Sequence, residues 1–466
     1  MFKHIHLIGI GGIGMSAVAQ LLLKQGVKIS GCDLKENDLV RSLVQDGVSI
    51  WAEHHPRHLE SVDTLVYSSA ITQDNPEIVE AKRRGIRLMR RAEILAYLMR
   101  DKRVITVTGM HGKTTTASLI SFLFSQAGML PTVAVGGILH NLGANAILGD
   151  GRFFIAEADE SDGSFLCYQP DYSVITNIDY EHMDYYRDFG SILAAFRRFI
   201  NQTRENGCLF YWQDDPHLAG LLKGYKNRTI SFGLNQDADI CALNIKAKAF
   251  VSEFDCLMKG EFISRFKVGL GGRHNILNSL PAIALAKELG IDIEFVKSAL
   301  SNYKGTRRRM QIKFESRDYL VIDDYGHHPT EIKATLEAAR LLNAPRLLVV
   351  FQPHRYTRTK LLLDSFADCF DLADRVIITD IYSAGEPEIK GINGYSICEK
   401  MKSENRKKAI YLPKADILNA VFDTINPGDV VIFLGAGDIT KISDEFAEIL
   451  ERQVKEERAV SQTYQF

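Results

Sequence analysis

The sequence predicts an α/β protein of three domains: Rossmann-like over 1–100, P-loop-type over 101–305, and Rossmann-like again over 306–466. Three observations carry that expectation. Residues 104–116, VITVTGMHGKTTT, join an apolar β-branched run to a glycine turn and a Gly-Lys-Thr-Thr sequence, the order of a phosphate-binding loop. Residues 9–14, GIGGIG, follow a short apolar run and are answered by Asp33 after the next one, the spacing of a dinucleotide fingerprint. The C-terminal third repeats strand-then-polar-loop units, which line polar side chains along one sheet edge. A length of 466 residues, at about 150 per domain, gives the same count.

Composition narrows the class. A charged fraction of 24% and an apolar fraction of 46% suit a soluble globular enzyme, and a net charge of -2 argues against a general nucleic-acid binder. The cysteines, at 32, 167, 208, 241, 256, 369 and 398, include no C-x-x-C pair. Such a dispersed set predicts free thiols in a reducing compartment, with neither a disulfide framework nor structural zinc. No basic leader precedes the first strand, and no apolar run approaches the roughly 20 residues of a membrane span. A cytoplasmic protein without membrane insertion is expected.

In the first block, strand His4–Ile8 leads through the glycines into an amphipathic helix, then a strand over 27–31 ends near Asp33. Taken alone this fingerprint points to NAD. Its physics is broader, because glycines at a helix N-terminus hold any diphosphate and an acid after the second strand holds any ribose-like diol. Asp33 is also an ordinary turn residue. A third strand over 64–68 runs into Ser69, Ala70 and Ile71, which can close over the same ligand.

In the second block, Lys113 is expected along the β- and γ-phosphates and the Thr114 hydroxyl on a magnesium ion. The full pattern asks for glycine six positions before the lysine, where this chain has Val107. A strand over 153–156 ends in Glu157, Ala158, Asp159, Glu160 and Ser161, where a magnesium ligand or water-ordering acid belongs. Another, over 172–176, runs into Asn177, Asp179, Glu181 and His182, and the histidine reads as a metal-site candidate. His274, Asn275 and Asn278 open a helix over 276–289. Asn275 either caps that helix or, with its neighbours, meets an adenine edge.

The third block opens on Arg307, Arg308 and Arg309, ordinarily a solvated run. A strand over 319–322 leads to DDYGHHPTE, and strand Leu347–Phe351 feeds QPHRYTR. Two adjacent histidines, His327 and His328, raise a metal reading that no H-x-x-x-H or Cys partner supports. Strands over 376–379 and 430–434 end in Asp380 and in Gly435–Ala436–Gly437–Asp438, so this block is doubly wound too.

Taken together, GIGGIGMSAVA, TGMHGKTTT, EADESDGSF, TNIDYEHMDYY, GRHNILNSLPA, DDYGHHPTE and FQPHRYTRT resemble the Mur ligases of peptidoglycan synthesis, in order and over nearly the whole chain. DDYGHHPTE and GIGGIGM are most similar to members that attach L-alanine, with the recycling members that attach a tripeptide as the alternative. The resemblance implies an ATP-dependent ligase acting on small molecules: UDP-N-acetylmuramate, L-alanine and ATP, with Mg2+ or Mn2+, as monomer or homodimer.

It also implies roles. Gly11, Gly12, Ile13 and Gly14 would lie near the UDP diphosphate, with Asp33 and Ser69 at the uridine end. Gly109, Met110, His111, Gly112, Lys113, Thr114 and Thr115 would form the ATP loop. Thr114, Glu157 and His182 would serve the metal positions, and His274, Asn275 and Asn278 the adenosine. Arg308 would reach the γ-phosphate. Asp323, Tyr325, His327, His354, Arg355 and Arg358 would hold the amino acid and close the site. The catalytic set would be Lys113, His182, Arg308 and His354, with His327 a second candidate base. Several relatives carry a carbamylated lysine about 15 residues past the His182 position. Here no lysine lies between Met183 and Thr203 and position 197 is Arg, so that modification is not expected.

Other classes explain less. An NAD oxidoreductase leaves the P-loop idle, and a switch or assembly ATPase leaves two Rossmann-like blocks idle. A folylpolyglutamate synthase, which shares the central block, needs no N-terminal UDP domain.

Overall fold

The computed structural model describes residues 2–404, 406 and 408–463. Chain contacts gather into two compact units. The first is Met1–Asn244, Phe254–Val268 and Leu277–Gly305; the second is Ile245–Glu253, Gly269–Ile276 and Thr306–Phe466.

The first unit holds two sheets. Strands β1 (His4–Ile8), β2 (Lys28–Cys32), β3 (Ser49–Trp51), β4 (Thr64–Tyr67) and β5 (Arg87–Arg90) form an all-parallel sheet of order 3-2-1-4-5. The order reverses beside β1, and there the loop after β1 carries the glycines, as the open α/β rule requires. The ten-stranded sheet adds β6 (Arg103–Thr108), β7 (Thr132–Ala134), β8 (Ala146–Ile147), β9 (Phe153–Glu157), β10 (Tyr172–Ile175), β11 (Cys208–Trp212), β12 (Thr229–Gly233), β13 (Ile240–Ala247), β14 (Ser252–Met258) and β15 (Glu261–Val268). Strand β6 lies between β9 and β10, parallel to both. The P-loop after β6 is therefore flanked by the acidic loop after β9 and the His182 loop after β10.

One apolar cluster runs from Ile5 and Leu7 through Met89, Ile94 and Leu95 to Phe154, Phe165 and Phe196. The helix Arg91–Leu98 sits in this shared core, so the first two blocks rest on one apolar floor. Burying such side chains contributes about 1.5–3 kcal/mol each.

The second unit is a six-stranded sheet of β16 (Gln311–Glu315), β17 (Tyr319–Asp324), β18 (Leu347–Phe351), β19 (Arg375–Ile378), β20 (Ala409–Tyr411) and β21 (Asp429–Leu434), ordered 16-17-21-18-19-20. Only β16 runs antiparallel. Apolar clusters cover both faces, which is what continuous Val/Ile/Leu runs such as LLVVF demand. Among the described residues, no helix is long and apolar enough to cross a membrane.

Candidate active site

The P-loop begins where β6 ends. Val107, at the position where the full pattern has glycine, is a fully buried strand residue, so the loop proper starts at Gly109. Gly109 and Gly112 both have left-handed backbones, with φ of 122° and 82°. A Cβ at 109 would fall 2.2 Å from Thr176 Oγ1, and one at 112 would fall 2.4 Å from Asn278 Oδ1. Both positions therefore need glycine. Gly112 caps the helix Lys113–Gln126 without a side-chain hydrogen bond, and no acid occupies the first turn. The helix N-terminus is thus open to an anion.

Polar side chains from three neighbouring loops converge on this helix start. Lys113 Nζ donates to Glu160 Oε1 at 2.7 Å, to Gly109 O at 2.7 Å and to Met110 O at 3.2 Å. Burial opposes the ammonium, but Glu160, Asp159 and Glu157 outweigh it and hold the lysine charged. Thr114 Oγ1 lies 3.0 and 2.9 Å from the two Glu157 oxygens, and Gly136 N–H donates to Glu157 at 2.8 Å. Burial raises the Glu157 pKa, with Lys113 pulling the other way. His182, on a left-handed backbone (φ 59°), points Nε2 at Glu160 Oε1, 3.2 Å away. Burial disfavours its cation, yet the Glu160 hydrogen bond and the charges of Glu181 and Glu160 lift its pKa above the usual value.

His111 is held in place rather than open: its amide donates to Asn177 Oδ1 at 2.9 Å and its Nε2 lies 2.9 Å from Asp179 Oδ2. Met110 turns into the core and Thr115 is buried.

In the N-terminal sheet, Gly12 caps the helix Ile13–Lys24, again with no side-chain cap and no first-turn acid. Asp33 Oδ2 accepts from Gly11 N–H at 2.9 Å and Oδ1 from Lys35 N–H at 3.0 Å, so this acid braces the glycine turn. Ser69 is exposed. Two residues not singled out from sequence contact this loop, and Arg91 also ties it to the acidic one. Asn145 donates to Ile13 O at 2.7 Å, and Arg91 packs against Gly14 with its guanidinium 4.0 Å from Asp159.

The second unit brings together the residues expected to hold the amino acid. Guanidinium carbons of Arg308 and Arg309 lie 5.1 and 5.3 Å from the Tyr325 ring centre. The Tyr325 and His327 rings are 5.5 Å apart, as are those of His327 and His354. Arg358 Nη1 donates to His354 Nδ1 at 2.9 Å and to His354 O at 3.2 Å. That bond makes Nδ1 the acceptor and puts any proton of neutral His354 on Nε2. Arg308 and Arg355 have left-handed backbones. Asp323 is fully buried, accepts from Thr440 at 2.7 Å and lies 3.4 Å from Arg308 Nε. It thus positions the arginine.

His274 and Asn275 lie inside the first turn of the helix Arg273–Glu288, which begins three residues before the expected 276. Asn275 Nδ2 donates to Gly271 O at 2.8 Å, and the residue lies within the first turn, past the N-cap position. Burial, reinforced by Arg309, lowers the His274 pKa to about 4. The ring is therefore neutral at pH 7. Asn278 belongs to the first unit, against Gly112.

The acid that sequence reasoning passed over is Glu160, named only as part of a run. The available signal was EADE: in a loop leaving a strand, the first and fourth of these four residues can reach the same helix start.

Residues 4–103 match the family model described as Mur ligase family, catalytic domain; 107–286 match Mur ligase middle domain; 308–437 match Mur ligase, glutamate ligase domain. The chain is 42% identical over 455 residues to the UDP-N-acetylmuramate–L-alanine ligase of Pelotomaculum thermopropionicum, covering 97% of this chain and 99% of that one. The crystal structure of the UDP-N-acetylmuramate–alanine ligase of Thermotoga maritima superposes with a TM-score of 0.83 at 29% identity, covering 97% of this chain and 100% of that one. A murein peptide ligase from Psychrobacter arcticus shares the fold, with a TM-score of 0.71, 24% identity, and coverage of 95% and 98%.

Proposed function

The chain belongs to the Mur ligase family, and we infer that it joins L-alanine to the lactyl carboxylate of UDP-N-acetylmuramate, giving UDP-N-acetylmuramoyl-L-alanine, ADP and phosphate. The observation that carries the reading is an assembled phosphate site, Lys113 with Glu160 and Thr114 with Glu157, in a chain 42% identical end to end to a ligase of that name.

Amide synthesis from a carboxylate needs activation, because oxide is not a leaving group. The carboxylate attacks the γ-phosphate in line, ADP leaves, and an acyl phosphate forms. The alanine amine then adds to the acyl carbon, and phosphate departs with the original carboxylate oxygen. Two anions meet in the first step, so charge neutralisation dominates its barrier. Lys113 supplies one cation at the P-loop, and Arg308 is assigned to the γ-phosphate.

A magnesium ion fits Thr114 and Glu157. Adjacent ligands of an octahedral site with bonds of about 2.1 Å lie about 3.0 Å apart, matching the 2.9–3.0 Å between these oxygens. Such an ion, when bound, screens the γ-phosphate. His182 and Glu160 are assigned to a second position. Gly11 to Gly14 and the open N-terminus of helix Ile13–Lys24 are assigned to the UDP diphosphate, with Ser69 at its uridine end.

Arg355 and Arg358 clamp the alanine carboxylate, and His327 takes the amine proton, or His354 does once Arg358 has left its Nδ1 for the substrate. The buried thiols support a cytoplasmic location. The division into 1–100, 101–305 and 306–466 follows the three assigned ligands.

The test is ADP release with Mg2+, ATP and UDP-N-acetylmuramate, with and without L-alanine, and mass analysis of the sugar. Release that needs every substrate, with one alanine residue gained, is expected. Release only with a tripeptide transfers the chain to the recycling reaction, and release without the sugar refutes ligation.

A further inference from the structure

Away from the phosphate site, the N-terminal sheet buries a second polar cluster, centred on Glu77. This glutamate opens the helix Pro76–Arg84 and is fully buried. A buried carboxylate needs a counter-charge, yet the cations within 4 Å among the described residues are histidines only: His6, His54 and His58. Its two oxygens face different partners. Oε1 takes His58 Nδ1 at 2.7 Å and His6 Nε2 at 3.5 Å. Oε2 lies 3.0 Å from Cys32 Sγ and 3.7 Å from His54 Nδ1, and those two atoms are themselves 3.1 Å apart.

We propose that Cys32 Sγ, His54 Nδ1 and Glu77 Oε2 bind one divalent cation of the zinc class, with His58 and His6 orienting the carboxylate through Oε1. Sulfur, nitrogen and oxygen donors of this kind suit zinc and its neighbours and not magnesium. With bonds of about 2.0–2.3 Å, tetrahedral zinc sets its ligands about 3.4–3.6 Å apart. The three observed separations are each within about 0.4 Å of that range. All three donor atoms lie within 4.8 Å of one another.

Charge favours the same answer. A dication with one thiolate and one carboxylate is neutral, so binding leaves no net charge on the ion and its anionic donors. Without a cation, the Cys32 thiol donates to Glu77 Oε2 at 3.0 Å. Binding therefore breaks one S–H bond, forms one metal–sulfur bond and releases one proton to solvent.

The supporting shell is built too. His6 Nδ1 is fixed by Ser30 Oγ at 2.9 Å, and the Trp51 ring stacks on His58 at 4.3 Å. Such outer contacts orient carboxylate ligands. His54, at 18% side-chain exposure, provides the route from solvent and the side on which a water completes the coordination.

The ligands are 22 and 45 residues apart, so no short-spaced motif marks them in the sequence. The fold brings them together from the end of β2, the loop after β3 and the helix after β4.

The experiment uses the full chain, stripped with chelator and held in millimolar Mg2+ to occupy the magnesium-type position. Co2+ is the probe, because a cobalt–thiolate bond absorbs in the near ultraviolet. The background is Cys167→Ser, since Cys167 is the exposed thiol. One equivalent of Co2+ is expected to give the thiolate band with release of about one proton by calorimetry in two buffers, and one equivalent of Zn2+ to abolish the band. Cys32→Ser should lose both band and proton. If that variant does not fold, His54→Ala, at the exposed edge, should weaken Co2+ binding at least tenfold. No band in the parent, or a band that survives Cys32→Ser, overturns the proposal and leaves Glu77 in a hydrogen-bonded histidine network.

Discussion

Glu160→Gln tests the phosphate site most directly. Lys113 has 13% side-chain exposure and Glu160 none. Removing one partner of a buried ion pair costs roughly 3–5 kcal/mol. Glutamine keeps an acceptor where Oε1 stood, and the Gly109 and Met110 carbonyls still receive Lys113. The cost should therefore fall to about 2–3 kcal/mol. At about 2 °C for each kcal/mol in a domain of roughly 250 residues, the nucleotide-free variant should unfold about 4–6 °C lower by calorimetry. Saturating Mg·ATP should restore most of this, because its phosphates replace the lost anion, so the nucleotide-induced shift should exceed that of the parent. His182 reports separately. With only Glu181 left to oppose burial, its pKa should drop, read from the imidazole proton by NMR. An unfolding temperature within 1 °C of the parent and an unmoved His182 would refute the Lys113–Glu160 pair. A diminished Mg·ATP shift would instead place Glu160 on the bound nucleotide.

Lys113→Ala should abolish ATP turnover while the UDP-sugar Kd, by calorimetry, changes less than about twofold; a larger loss would mean that the glycine turn does not bind independently. Arg358→Ala should raise KM for alanine about 10–100-fold, the worth of a charged bidentate contact, and leave KM for ATP nearly unchanged. Equal effects would put Arg358 on the nucleotide. His274 should titrate near 4 by NMR. A base whose folded pKa lies below its unfolded 6.5 stabilises fully above pH 6.5, and this contribution fades as pH falls through 4. An ordinary pKa at His274 would contradict its burial. NAD should show no saturable binding, and micromolar affinity would revive the oxidoreductase reading.

Strands were legible where a short apolar run met a turn signal: His4–Ile8, closed by glycine, and Leu347–Phe351, closed by Gln352 and Pro353, are read to the residue. Helix starts were less so. The helix at 273 begins early because Gly272 adopts φ 86° and frees the chain to turn, whereas the apolar period begins only at Ile276. Motif residues could be found because loop chemistry is local. Arg91, Asn145 and Glu77 could not, since their partners are set by strand order and not by spacing. Asp33 shows the reverse case: its place in a fingerprint was legible, but its bond to Gly11 was not.

The apolar floor shared by the first two sheets bears on how the chain can be cut for ligand screening. A fragment starting at residue 101 retains the P-loop but sheds the helix Arg91–Leu98, uncovering the segment Ser164–Cys167 that packs against it, with Phe165 at its centre. Exposed patches of that kind drive association. Such a fragment would report self-assembly before it reported nucleotide binding. The smallest useful piece is the two sheets together, so screening against ATP alone inherits the UDP end whether wanted or not.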